Sequence, residues 1–109
     1  MVSSGHVKKK QVVSRVDSLS RIKAAVDCRD EEAEEDERLV LIGRTDAKQA
    51  IGFEEALWRI SAFADLGVDM VFVDALETRE EMEIVCKTAS DAGVGVLANM
   101  LEGKQNKKI

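Results

Sequence analysis

The sequence predicts an α/β fold with about three parallel βα units. Three observations carry this prediction. Short apolar runs alternate with segments of helical periodicity, the alternation repeats about every 25 to 30 residues, and polar residues follow each apolar run. Strands that are apolar throughout are typical of parallel sheets that helices cover on both faces. We therefore expect the order strand, helix, strand, helix, strand over residues 39–100.

The composition is that of a globular protein. Of the 109 residues, 45% are hydrophobic and 34% are charged, and the net charge is −5. This negative balance argues against a nucleic-acid partner, because phosphate binding needs a positive surface. No apolar run reaches the roughly 18 residues of a membrane span, and Met1–Lys10 lacks the apolar core of a signal peptide. We expect a cytoplasmic protein that binds neither nucleic acid nor membranes.

The first predicted helix covers residues 14–28, with Ser14 as its N-cap. Its apolar positions recur at steps of three and four residues, at Val16, Leu19, Ile22 and Val26. The acidic run that follows, residues 29–38, is interpreted as the frayed helix end and a solvated loop, because so many like charges repel one another. A functional acidic segment is the alternative interpretation.

The first predicted strand is Leu39–Ile42, a continuous apolar run that we expect to be buried on both faces and to end at Gly43. The helix Phe53–Leu66 follows and is predicted to stop at Gly67, a residue suited to the left-handed C-terminal position. Trp58 lies off the apolar stripe of this helix, and we expect it to cover a neighbouring helix.

The second predicted strand is Met70–Val73. Thr78 and Glu81 then form a T-x-x-E capping box, which predicts a helix that runs to about Ala92. The apolar face of this helix is supplied by Met82, Val85, Cys86 and Ala89, so Cys86 is predicted to pack in the core. The two cysteines of the chain have no spacing typical of a disulfide framework or a zinc site.

Polar side chains gather where the strands end. Arg44 and Asp46 follow the first strand, Asp74 follows the second, and Asn99 follows the third predicted strand, Val96–Ala98. In parallel α/β folds the carboxyl ends of the strands meet in one crevice, so these groups are predicted to face a common pocket. A guanidinium beside polar groups suits an anionic, oxygen-rich small molecule, because arginine binds carboxylate or phosphate with two parallel hydrogen bonds.

Simpler interpretations exist for each of these residues. The two aspartates could cap turns, and Asn99 could bind backbone groups. His6, the sole histidine, has no visible triad partners, so a Ser-His-Asp site is not predicted. A receiver-like signalling domain has a similar length, but it needs an acidic pair after its first strand. No such pair precedes the first helix here.

Several motifs, in order, carry a family resemblance over nearly the whole chain. They read SGH, RIKAAVDCRD, GRTDA, GFEEALWRISAFADLGVDMVFVDALE and ANMLEG. The chain resembles the isocitrate lyase and phosphoenolpyruvate mutase superfamily, and within it the methylisocitrate lyase-like and carboxyphosphonoenolpyruvate mutase-like branch. The resemblance implies a partial (β/α)8 TIM-type barrel, since a complete barrel needs about 250 residues. It also implies that residues 1–13 are a remnant of a gating loop and that residues 101–109 are a basic tail.

The resemblance further implies a site and a cofactor. Arg44 would bind a substrate carboxylate, Asp74 would stand where the family commonly has glutamate, and Gly5 and His6 match the end of the gating loop. Three residues at the last strand end would line the site: Asn99, Met100 and Leu101. The family uses Mg²⁺ to stabilise an enolate of an α-keto acid, and its metal ligands would lie in the barrel half that this chain does not contain.

One departure bears directly on catalysis. Ser4 occupies the position of the family's catalytic cysteine, and a serine hydroxyl is a much weaker acid than a thiol. We therefore expect a Mg²⁺-dependent carbon–carbon lyase-like protein for a small hydroxy-di- or tricarboxylate, with impaired cleavage. The alternatives are a noncatalytic remnant that binds a carboxylate weakly, or a phosphonomutase- or oxaloacetate hydrolase-type member. Partners are predicted to be a small carboxylate and a second chain, either in a homo-oligomer or as a full-length paralogue.

Overall fold

The computed structural model describes residues 11–32 and 38–98. In chain order its elements are α1 (Arg15–Glu32), β1 (Ile42–Thr45), α2 (Ala47–Ala50), α3 (Phe53–Leu66), β2 (Met70–Val73), α4 (Arg79–Asp91) and β3 (Gly95–Val96). In these ranges no helix is long and apolar enough to cross a membrane. Most of the predicted gating-loop remnant and the whole predicted basic tail lie outside the described residues.

The three strands form one parallel sheet in the order β1-β2-β3. Ile42 pairs with Met70 and Thr45 with Val73, so β1 and β2 end at the same level. The pairing of β2 with β3 begins at Met70 and Gly95. The predicted alternation of parallel strands and helices is confirmed.

Two helices follow their local sequence signals closely. α3 has the predicted bounds, and Gly67 ends it with φ of 118° and its N–H directed at the Phe63 and Ala64 carbonyls. A β-carbon at Gly67 would be strained at this φ and would lie 3.1 Å from Val26 Cγ1. At the start of α4, the Glu81 N–H donates to Thr78 Oγ1 at 3.1 Å, which confirms the capping box.

The core lies where α3 and α4 pack on the sheet. The largest fully buried side chains are those of Ile60, Phe63, Val71 and Val85. Burial of one such side chain stabilises the fold by about 1.5–3 kcal/mol. α1 packs against the outer side of α3, where the Arg15 guanidinium lies 3.7 Å from the centroid of the Trp58 ring. The prediction that Trp58 covers a neighbouring helix is confirmed.

The predicted position of the first strand is wrong. β1 covers Ile42–Thr45, whereas Leu39 and Val40 precede it and are 66% and 65% exposed. The buried positions of β1 are Gly43 and Thr45, which alternate with exposed ones. The apolar run did not predict the position of β1, because the inner face of β1 is formed by residues that are not strongly apolar. Gly43 packs against Phe63, and Thr45 Oγ1 accepts a hydrogen bond from the Ala47 N–H.

The predicted helix 14–28 begins correctly and ends too early. Ser14 is the N-cap, since its Oγ accepts a hydrogen bond from the Asp17 N–H at 3.1 Å. α1 nevertheless continues to Glu32, into the predicted acidic loop 29–38. The reason is tertiary: Arg29 is buried and its Nη1 donates to Asp69 Oδ2 at 2.6 Å, which holds this turn against the rest of the fold.

Two smaller predictions also fail. Cys86 is exposed, because α4 turns Val85 and Ala89 toward the core and Cys86 away from it. The third strand is Gly95–Val96, earlier and shorter than the predicted Val96–Ala98.

Candidate functional site

The ends of β1 and β2 bring Arg44, Asp46 and Asp74 together. Arg44 Nε donates to Asp46 Oδ1 at 2.8 Å, and Arg44 Nη2 lies 3.7 Å from Asp74 Oδ2. The backbone fixes the second contact, since the Asp74 N–H donates to the Thr45 carbonyl at 3.0 Å. The parallel register therefore places a guanidinium beside two carboxylates at one edge of the sheet, as the sequence predicts for Arg44 and Asp74.

The Arg44 guanidinium is oriented and yet open to solvent. Its side chain is 55% exposed, and Cζ lies 5.4 Å from the centroid of the Phe72 ring. The hydrogen bond to Asp46 and the charge of that carboxylate raise the pKa of Arg44 above its ordinary value. A charged, forked donor held in this way can receive a carboxylate or phosphate.

Lys48 connects the loops that follow the two strands, and Thr45 shapes the first of these loops. Thr45 Oγ1 accepts a hydrogen bond from the Ala47 N–H at 3.1 Å and so shapes the turn into α2. Lys48 Nζ donates to the Ala75 carbonyl at 2.9 Å and lies 3.1 Å from Glu81 Oε2. Burial lowers the pKa of Lys48, but hydrogen bonds to Glu81 and Glu77 outweigh it and the net shift is upward.

Lys48 was missed by the sequence prediction. A lysine in a polar stretch after a strand resembles any solvated lysine, and α2 spans only Ala47–Ala50. The local signal that could have found it is the four-residue offset between Glu77 and Glu81, which places two carboxylates near one cation once the strands pair.

The other predicted site residues lie outside the described residues. They are Ser4, Gly5 and His6 near the beginning and Asn99, Met100 and Leu101 near the end. Their roles stay predictions.

The residues at this edge offer no ligand set for Mg²⁺ in the part of the chain that the structure describes. Within residues 11–32 and 38–98, no three His, Cys, Asp or Glu side chains form a group that could hold a metal ion. Asp46 and Asp74 both lie against the Arg44 guanidinium, so a cation placed between them would face a fixed positive charge. The implied metal therefore has no ligand set among these side chains.

Known proteins resemble this chain over most of its length. A family model described as phosphoenolpyruvate phosphomutase matches residues 3–108. A 2-methylisocitrate lyase from Salmonella typhimurium strain LT2 is 39% identical over 98 residues, which are 90% of this chain and 30% of the relative. The chain thus spans about a third or less of the length of the curated relatives it matches.

Solved structures show the same likeness. The trigonal crystal form of 2,3-dimethylmalate lyase, described as a member of the PEP mutase/isocitrate lyase superfamily, matches with a TM-score of 0.75 and 34% identity. That match covers 91% of this chain and 31% of the other. An oxaloacetate acetylhydrolase in complex with the inhibitor 3,3-difluorooxalacetate matches with a TM-score of 0.71 and 33% identity, over 84% of this chain and 30% of the other.

The matches in sequence and fold agree with the predicted resemblance and with the predicted partial barrel. The chain belongs to the phosphoenolpyruvate phosphomutase family, within the isocitrate lyase and PEP mutase superfamily, and corresponds to about 30% of the length of its relatives.

Proposed function

We propose that the edge formed by Arg44, Asp46 and Asp74 binds the carboxylate of a small oxo or hydroxy acid. The observation that carries this proposal is the exposed Arg44 guanidinium, held by Asp46 at 2.8 Å at the carboxyl ends of two paired parallel strands. Such a group is already oriented before the ligand arrives, which lowers the entropic cost of binding.

The names of the relatives narrow the ligand class. They include 2-methylisocitrate lyase, 2,3-dimethylmalate lyase and oxaloacetate acetylhydrolase. Each name contains a small acid with two or three carboxylates, which supports a di- or tricarboxylate as the substrate class here. An oxaloacetate hydrolase-type or phosphonomutase-type reaction is compatible with the same anion site.

The reaction class that we propose is carbon–carbon bond cleavage through an enolate. The substrate hydroxyl loses its proton to a base, and the carbon that bears it becomes the carbonyl carbon of an oxo acid. The electron pair of the broken carbon–carbon bond passes to an enolate of the other product, which then takes up a proton from an acid. Arg44 would hold a carboxylate of the substrate, while Asp46 and Asp74 keep the guanidinium in place. We propose Mg²⁺ as the cofactor from the family resemblance alone, because the described residues of this site offer no ligand set for it.

Ser4 determines the expected rate. If Ser4 stands where the family has its acid, cleavage by this chain is slow, because a serine hydroxyl donates a proton poorly near neutral pH. The alternative, a protein that binds carboxylates without catalysis, rests on this same residue.

Anion binding is tested by titrating the chain with oxalate and following amide shifts by NMR. We expect shifts at the ends of β1 and β2 and a loss of at least about tenfold in affinity in Arg44→Met, since a charge-assisted hydrogen bond contributes about 1.5–3 kcal/mol. Arg79→Met is the matched control, because Arg79 is 89% exposed and pairs with Glu83 on α4. Equal affinities in Arg44→Met and the unchanged chain would refute the site.

Catalysis is tested separately. The chain with Mg²⁺ is incubated with 2-methylisocitrate or 2,3-dimethylmalate, and oxo-acid release is compared with a protein-free blank. Release that Arg44→Met abolishes supports the lyase proposal. Oxalate binding without release of any oxo acid supports the noncatalytic alternative.

The predicted protein partner and the cytoplasmic location stay predictions. Exposed apolar side chains at Leu39, Val40 and Ile42 support the proposal of a second chain at this side of the sheet. β1 pairs with β2 alone among the strands described, so its other edge is available for strand addition.

A further inference from the structure

The Lys48 side chain spans the distance between the ends of β1 and β2. It belongs to α2, directly after β1, and its Nζ reaches the loop after β2, where it donates to the Ala75 carbonyl at 2.9 Å and to Glu77 Oε1 at 3.2 Å. The side chain is largely buried, with 13% exposed. It therefore connects the loop that follows β1 with the loop that follows β2.

The residue that Lys48 holds has an unfavourable backbone conformation. Ala75 has φ of +70°, and it is the one non-glycine residue with positive φ in the described part of the chain. L residues rarely adopt this conformation, so the surrounding contacts must stabilise it. Ala75 follows Asp74 directly, so its turn constrains the Asp74 carboxylate together with the hydrogen bond from the Asp74 N–H to the Thr45 carbonyl.

Glu81 joins this contact to the start of α4. Its Oε1 accepts a hydrogen bond from the Glu77 N–H at 2.8 Å, and its Oε2 lies 3.1 Å from Lys48 Nζ. The capping box therefore anchors the far side of the same turn. Lys48 is the cation on which the Ala75 carbonyl, Glu77 and Glu81 converge.

We propose that Lys48 is a positioning residue for the Arg44 site. By holding the left-handed turn at Ala75, it keeps Asp74 beside Arg44 and thereby orients the guanidinium. The consequence for binding rests on the proposed function, whereas the effect on the turn does not.

The first test compares Lys48→Met with Lys48→Arg. A positive φ at Ala75 produces a strong NOE between its own amide and α protons, and we expect this NOE to weaken in Lys48→Met. We expect oxalate affinity to fall about tenfold, which is the effect of losing one charge-assisted hydrogen bond to the ligand. Lys48→Arg should keep the NOE and stay within about twofold of the original affinity, because a cationic donor is retained.

Lys87→Met is the matched control. Lys87 is 78% exposed near the end of α4, and its ion pair with Asp91 lies within that helix. It should change neither the NOE nor the affinity. If Lys48→Met does not fold, Glu81→Gln replaces it. This change removes the negative charge of Glu81 that faces Lys48 Nζ, and it should weaken the same NOE.

A double-variant cycle separates positioning from general stability. Glycine adopts positive φ without strain, so in Ala75→Gly the turn no longer needs Lys48. We expect Lys48→Met to reduce oxalate affinity by less than about threefold in that background. A purely structural loss would instead lower the free energy of unfolding equally in both backgrounds.

Two results would overturn the proposal. One is an unchanged Ala75 NOE in Lys48→Met; the other is the full tenfold loss in the Ala75→Gly background. Absence of oxalate binding by the unchanged chain would refute the proposed function alone, because the NOE still reports whether Lys48 holds the turn.

Discussion

Gly43 lies in the middle of β1, directly against the ring of Phe63. A β-carbon there would lie 2.8 Å from Phe63 Cδ2 and 3.2 Å from Cγ. Phe63 is among the fully buried side chains and has little room to move. The glycine is thus needed for its size, since its lack of a β-carbon lets α3 approach the sheet.

Gly43→Ala is expected to destabilise the protein by about 1–3 kcal/mol, the usual effect of overpacking a core. Chemical denaturation monitored by Trp58 fluorescence measures the change. Gly95→Ala in β3 is the control: its β-carbon would meet Met70 Cε at an ordinary 3.5 Å, and we expect little effect. Equal stability of the two variants would contradict the close approach.

At the scale of elements, α1 is attached to α3 at its start by an arginine–glutamate cluster. Arg15 Nη2 and Arg59 Nε both donate to the Glu55 carboxylate, at 2.8 Å and 2.9 Å. Arg59 is buried, and its Nη1 also donates to the Val13 carbonyl at 2.9 Å. Side-chain hydrogen bonds from Arg15 and then Arg59 lower the pKa of Glu55 to about 2.

This lowered pKa predicts a specific pH dependence. The folded state holds Glu55 ionised to about pH 2, whereas the unfolded chain binds the proton near the ordinary value of 4.5. Its contribution to stability is therefore complete above 4.5 and is lost as pH falls toward 2. Urea unfolding from pH 7 to 2.5 should show this decline, and Glu55→Gln should remove that part of it.

Glu55→Gln should also destabilise the fold by about 1–2 kcal/mol at pH 7, because two charge-assisted hydrogen bonds weaken. Glu83→Gln is the control, since Glu83 lies 3.8 Å from the exposed Arg79 and should contribute little. An identical pH profile in Glu55→Gln and the unchanged chain would show that other carboxylates dominate acid unfolding.

The other end of α1 is held by Arg29. Its buried side chain donates through Nη1 to Asp69 Oδ2 at 2.6 Å and through Nη2 to the Gly67 carbonyl at 3.0 Å. Asp69 Oδ2 also accepts from the Leu41 N–H at 2.8 Å. One ion pair thus joins the last turns of α1, the end of α3 and the residue before β1.

Arg29→Ala is expected to cost about 2–4 kcal/mol, because it removes packing and leaves Asp69 without its cation. Hydrogen exchange should show faster exchange at the end of α1 than at its start. Lys23→Ala is the control, as Lys23 forms an exposed pair with Asp27 in the same helix. Uniform exchange along α1 in Arg29→Ala would contradict the local anchor.

At the scale of the whole molecule, the exposed apolar side chains are concentrated unevenly. Leu39 and Val40 are adjacent and lie just before the edge strand β1. β1 is an edge strand among the strands described, and the proposed second chain would cover this patch.

The double variant Leu39→Lys, Val40→Lys should reduce self-association, because two adjacent positive charges oppose the addition of another strand. Sedimentation velocity should then show a smaller average species, at an unfolding free energy within about 0.5 kcal/mol of the original. Lys substitutions at Ser90 and Asp91, exposed residues of α4, provide the control. Unchanged sedimentation would place any association elsewhere.

The sequence by itself determined the order of the strands and of the three longer helices, the caps and the family, whereas the short helix α2 was not predicted. Periodicity and local caps act within a few residues, so Ser14, Gly67 and the Thr78–Glu81 box were predictable. The strand-end rule likewise predicted that Arg44 and Asp74 would meet, because parallel strands share one edge.

Only the tertiary structure decided where β1 lies, how far α1 extends and what supports the site. Gly43 is an inner position because Phe63 of α3 packs against it, and α1 extends to Glu32 because Arg29 pairs with Asp69, forty residues away in the chain. Lys48 reaches the Ala75 carbonyl across 27 residues of the chain. Contacts between residues far apart in the chain form only once strands and helices pack, so a local pattern such as the Glu77–Glu81 offset can indicate a cation site without showing which residue fills it.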